Sequence, residues 1–71
     1  KGGKTMKWTY MAPAYRQGQC THHVWEAFDE GLSRRVYLVL PPTQQPSEND
    51  GGYFNLATAL GMKNASLEAT R

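Results

Sequence analysis

Apolar residues sit at alternate positions through the first half of this chain and change to a helical spacing in the last third. Within residues 4–11, Met6, Trp8 and Tyr10 share one parity, and Thr5, Lys7, Thr9 and Met11 share the other. That is the pattern of a strand with one buried face. Pro13 is expected to close it, because proline donates nothing to a ladder, and Tyr15 to Gln19 supply the reversal. Residues 34–40 form the clearest strand, rich in β-branched, aliphatic and aromatic side chains. Val36, Leu38 and Leu40 are expected to face a core, with Arg35, Tyr37 and Val39 pointing the other way. Residues 20–28 fit two periods. As a strand they put Val24 and Phe28 on one side and His23, Trp25 and Ala27 on the other. As a helix capped by Thr21 they cluster Val24, Trp25, Phe28 and Leu32, with Gly31 as the stop. Two reversals at similar spacing favour the strand, as the middle of a meander.

Pro41 and Pro42 end the sheet, and residues 43–52 contain almost every common turn former, which predicts a flexible loop. Beyond it Phe54, Leu56, Ala57 and Leu60 make a helical stripe, and Gly61 stands where that helix would stop. Asn64 or Ser66 could cap a second helix. The expected fold class is α+β: a three-stranded antiparallel meander followed by one or two short C-terminal helices, in a single small domain over residues 1–71. Its parts are a sheet (4–40), a flexible loop (41–52) and a helical tail (53–71). The expected core is Met6, Trp8, Tyr10, Val36, Leu38, Leu40, Phe54, Leu56 and Leu60.

Size narrows the functional classes. A chain of 71 residues buries only roughly 60% of the surface its unfolded form exposes, too little for a deep catalytic cleft. Domains this small usually gain a disulfide, a metal or a partner, and the one cysteine, Cys20, cannot form an internal bridge. Stabilisation by a protein partner or an oligomer is therefore expected, and the lone thiol suits a reducing, intracellular compartment. No apolar run reaches membrane-spanning length and none resembles a signal peptide, so no membrane partner is expected. The chain starts at Lys1 and ends at Arg71 within a helical pattern, which reads as a processed chain or part of a longer one.

Charge is unevenly spread. Residues 1–40 hold six basic and three acidic side chains, a balance of +3, whereas residues 41–71 hold two and three, a balance of −1. Only the sheet half could attract a polyanion. Lys7, Thr9, Arg35 and Tyr37, with His23 and Trp25 where the strands bring them together, would combine cations with aromatic planes on its outer face. Phosphates pair with such cations while bases stack on the rings, and a sheet can also present arginine to guanine edges in a major groove. The same composition marks protein interfaces. In the tail, Ala57, Gly61, Met62 and Leu67 have a spacing that resembles the core of a helix-turn-helix. The alanine lets two helices approach, the glycine makes the turn, and the two apolar residues pin the second helix. The resemblance implies a reading helix presenting Lys63, Asn64, Ser66 and Arg71, although Glu68 would share that surface.

Other constellations point to less. Cys20, His22 and His23 cannot all face one way on a strand, and a structural zinc normally needs four protein ligands, so no metal and no other cofactor is expected. A Cys-His pair without an orienting third group makes a poor nucleophile, so catalysis is not expected either. Asn64-Ala65-Ser66 matches a glycosylation acceptor, relevant only to a secreted chain. Gly2-Gly3 and Gly51-Gly52 lack the strand and lysine of a phosphate-cradling loop. Two readings follow. The first is a small non-catalytic nucleic-acid-binding module, for DNA rather than RNA, using Lys7, Thr9, Trp25, Arg34, Arg35 and Tyr37 or the tail residues Lys63 and Asn64. The second is a protein-interaction subunit or adaptor domain of a larger assembly.

Overall fold

A computed structural model of the chain describes residues 6–47 and 50–69. The expected beginning of the first strand at Lys4 and Thr5, loop residues Glu48 and Asn49, and the end of the tail at Thr70 and Arg71 lie outside the described residues. Three strands, β1 (Thr9–Arg16), β2 (Gln19–Asp29) and β3 (Arg34–Leu40), form an antiparallel sheet in the order β1-β2-β3, followed by one helix, α1 (Leu56–Met62). The α+β meander with a C-terminal helix is thus present, and residues 20–28 belong to a strand.

Pro13 does not end β1. The strand runs through it to a two-residue turn in which Gln17 (φ 54°) and Gly18 (φ 80°) are both left-handed, the geometry whose twist matches the flanking strands. Proline is tolerated because β1 is an edge. Two residues on, Tyr15 turns its N–H and C=O outward to Ser66 (2.6 and 2.9 Å), so the missing N–H of Pro13 faces away from β2.

Register decides which residues share a face. Thr9 pairs with Glu26 and Tyr10 with Trp25, but Ala12 pairs with Val24, so Met11 is an extra residue in β1. This bulge reverses the parity of everything that follows. Tyr10, Trp25 and Leu38 form one cross-strand row on the first face, while Ala12, Val24 and Val39 form a row on the second. A further shift makes Thr21 the extra residue in β2.

The helix packs on the second face. Ala14, Val24, Val39 and Ala59 are buried together, with Met11, Tyr37, Leu56, Leu60 and Ala65 against them. This corrects the expected core: Val39 and Tyr37, expected to point outward, lie under the helix, while Tyr10 and Phe54 are about half exposed. Alanines on both sides of the contact let the helix backbone approach closely, which the row of Tyr10, Trp25 and Leu38 could not. Val36 and Ala27 are buried on the opposite face. There Gly52 lies so close that a Cβ on it would stand 2.8 Å from Val36 Cβ and 3.0 Å from the Trp8 ring.

The C-terminal segment straps the sheet from edge to edge. Tyr53 exchanges two backbone hydrogen bonds of 2.8 Å with Tyr37 on the outer edge of β3, α1 crosses the sheet, and Ser66 pairs with Tyr15 on the outer edge of β1. Both edges are thereby partly covered. Asn55 caps the helix, its Oδ1 accepting from the N–H groups of Ala57 (2.8 Å) and Thr58 (3.3 Å). Gly61 lies inside α1 and does not end it. The stop comes at Asn64 (φ 54°), where Ala65 N–H donates to Leu60 C=O and Asn64 N–H to Gly61 C=O, the paired bonds of a Schellman cap. Among the described residues no second helix follows. Residues 65–69 are irregular apart from the Ser66 bridge, so the helix-turn-helix resemblance of the tail is not realised.

Candidate interaction surfaces

Strand order separates the residues that the sequence grouped. Thr9 and Tyr37 share the helix-bearing face, but with β2 between them the carboxylate-bearing Glu26 stands in the same row. Tyr37 is half-buried and packs against the core around α1. Arg35 is exposed and pairs with Glu26 at 3.4 Å, a surface contact of modest strength. Trp25 lies on the opposite face, where the Tyr10 ring meets Trp25 and His23 edge-on at 5.7 and 5.1 Å between centroids. The indole Nε1 atoms of Trp25 and Trp8 are both covered, without a hydrogen-bond partner among the described residues. Lys7 is exposed just before β1. Lys63 and Asn64 sit beyond α1, beside the β1–β2 turn. Residues expected to form one basic and aromatic face are therefore divided between two faces and a distant end.

Two local surfaces emerge at opposite ends of a molecule measuring 46 × 22 × 16 Å. At the β2–β3 turn, Phe28 and Leu32 are each 53% exposed and Phe54 is 48% exposed. Arg34 lies over the Phe54 ring, 4.3 Å from its centroid, a favourable cation–π distance. The turn is held by Asp29, whose Oδ1 and carbonyl oxygen both accept from Leu32 N–H at 3.2 Å, and by Ser33 in a left-handed conformation (φ 54°). Leu32 is thus fixed at the tip, a position where sequence patterning expects polar residues. That misplaced leucine, with Phe28 just before the turn, was the available sequence signal; the approach of Phe54 from the strap had none.

The other end gathers cations. Arg16 donates through Nη2 to the carbonyl of Lys63 and through Nε to that of Asn64 at 3.4 Å, placing a guanidinium on the carbonyl end of α1. His22 is cross-strand partner to Ala14, two residues from Arg16, and its Nδ1 lies 2.9 Å from Thr21 Oγ1. Burial, then the positive charges of Arg16 and Lys63, hold the His22 imidazole below the ordinary histidine value of 6.5. Neither Arg16 nor Lys63 makes an ion pair among the described residues. Sequence reasoning weighed His22 only as a metal ligand and did not single out Arg16, since a 48-residue separation joins Arg16 to Asn64.

The Cys20 cluster is dispersed. Cys20 is exposed with its thiol directed to the His22 carbonyl at 3.6 Å, and His22 and His23 occupy opposite faces of β2. Among the described residues no three His, Cys, Asp or Glu side chains are close enough to hold a metal ion, and no helix is long and apolar enough to cross a membrane. Comparison with protein-family models, curated proteins and solved structures finds no match to this chain.

Proposed function

We propose that this chain is a protein-interaction module that docks a partner through the end built by the β2–β3 turn and Phe54. The observation that carries this reading is that Phe28, Leu32 and Phe54 are all about half exposed at one end of the molecule, with Arg34 over the Phe54 ring. Aromatic residues and arginine dominate the energetics of protein interfaces. Arg34 has no carboxylate partner among the described residues, so the matching surface is an apolar pocket with an Asp or Glu at its rim. Charge separates this reading from nucleic-acid binding at the same end. Glu26, Asp29 and Glu30 outnumber Arg34 and Arg35 there, and a phosphate backbone would meet more repulsion than attraction.

The test is selection of random peptides on the immobilised chain, followed by binding to the double variant Leu32→Ser, Phe54→Ser. Both side chains reach solvent, so the variant should fold. Selected peptides should carry apolar residues next to Asp or Glu and lose at least tenfold in affinity for the variant, equivalent to about 1.4 kcal/mol. Peptides indifferent to the substitutions would refute the surface. Anisotropy of labelled duplex DNA, single-stranded DNA and RNA at low and physiological salt tests the competing reading. Tight, steeply salt-dependent binding insensitive to the double variant would favour the nucleic-acid module instead.

A further inference from the structure

A second ligand site lies at the opposite end, independent of the docking surface above. We infer that Arg16, His22 and Lys63 form a binding site for a phosphate-type oxyanion. One hairpin and a remote segment deliver the three groups: Arg16 from the end of β1, His22 from the start of β2, and Lys63, the residue that follows α1. The contacts with the Lys63 and Asn64 carbonyls fix the guanidinium plane and use two of its five N–H donors. The remaining donors keep the geometry that suits a tetrahedral oxyanion. With His22 Nδ1 occupied by the Thr21 hydroxyl, Nε2 is the ring atom left to donate. Like charges have been gathered here without a carboxylate in ion-pair contact among the described residues, and a bound anion would relieve their mutual repulsion. The Arg16 contacts also cover the carbonyl end of α1, which would otherwise oppose an anion.

The charged groups that act on the imidazole are Arg16 from β1 and Lys63 from the end of α1. An anion placed among them favours the imidazolium form, so the site can be read through His22 itself. His22 and His23 should be titrated by NMR at constant ionic strength in chloride, in inorganic phosphate and in oligothymidylate. In phosphate or oligothymidylate the His22 midpoint should rise relative to chloride and saturate with ligand, for inorganic phosphate on the order of 1 mM. His23, on the opposite face, should not move. Lys63→Met, which keeps the backbone carbonyl that Arg16 uses, should lower the affinity several-fold. A response to phosphate assigns the site to free oxyanions, and a response to oligothymidylate alone assigns it to a phosphodiester backbone. No rise with either ligand, an equal shift at His23, or full retention in Lys63→Met would overturn the inference.

Discussion

Gly52 shows how much a single residue's surroundings can differ from its neighbour's. A side chain on Gly52 would collide with Val36 and the Trp8 ring, whereas Gly51 has nothing within 4 Å of the same position among the described residues. Gly52→Ala is expected to destabilise the fold by about 1–3 kcal/mol, the usual cost of overpacking, and Gly51→Ala to leave stability near the wild-type value. Urea unfolding of the two variants checks this, and equal midpoints would refute the close packing of Gly52 on β3. In the sequence the two glycines are indistinguishable loop formers. Val36 lies 16 positions earlier, and only the return of the loop to β3 gives one glycine a packing role. The alternation of Val36, Leu38 and Leu40 was legible in the same way, but not the side that would be covered, because Tyr37 and Val39 make the alternate face apolar too.

At the scale of elements, α1 depends on its ends. Its seven residues are too few for a stable isolated helix, so the Asn55 cap, the Asn64 stop and burial of Ala59 must hold it in place. Asn55→Ala should cost about 1 kcal/mol, and Asn55→Asp should keep most of the cap. Thermal unfolding of both measures this, and an Ala variant as stable as wild type would mean the cap contributes nothing. The helical stripe was readable from Leu56 and Leu60, but the end was not. Gly61 looked like the stop because glycine commonly fills the left-handed position, yet Asn tolerates that position and Asn64 takes it. The strand pattern of residues 9–16 was likewise legible only to Met11. Bulges leave no periodic signal, and this one moves Ala12 and Ala14 to the helix side.

Over the whole molecule, His22 links folding to pH. Its folded value is depressed, so the unfolded chain takes up this proton first as pH falls below the ordinary value, and stability rises with pH in that window. The contribution is fully present above pH 6.5 and is lost progressively below it, down to the folded value. Chemical unfolding from pH 7.5 to 5 should therefore show a declining midpoint, and His22→Gln should flatten the decline. An unchanged slope in His22→Gln would show that other groups carry it.

Local chemistry determined three strands, two reversals, a polar connection and a helical stripe, because turn propensity and periodicity act over a few residues. It also determined a charge surplus in the sheet half and a leucine out of place in a turn. The covered face, the position of the bulge and the assembly of Arg16, His22 and Lys63 were decided by tertiary structure. Each depends on the fit between segments far apart in the chain: small side chains at Ala14 and Ala59 admit the helix on one face of the sheet, and the resulting strap carries Lys63 and Phe54 to opposite ends. A one-residue shift in β1 would exchange its two faces without altering the composition or local propensity of any segment, so the choice lies in packing summed across the molecule.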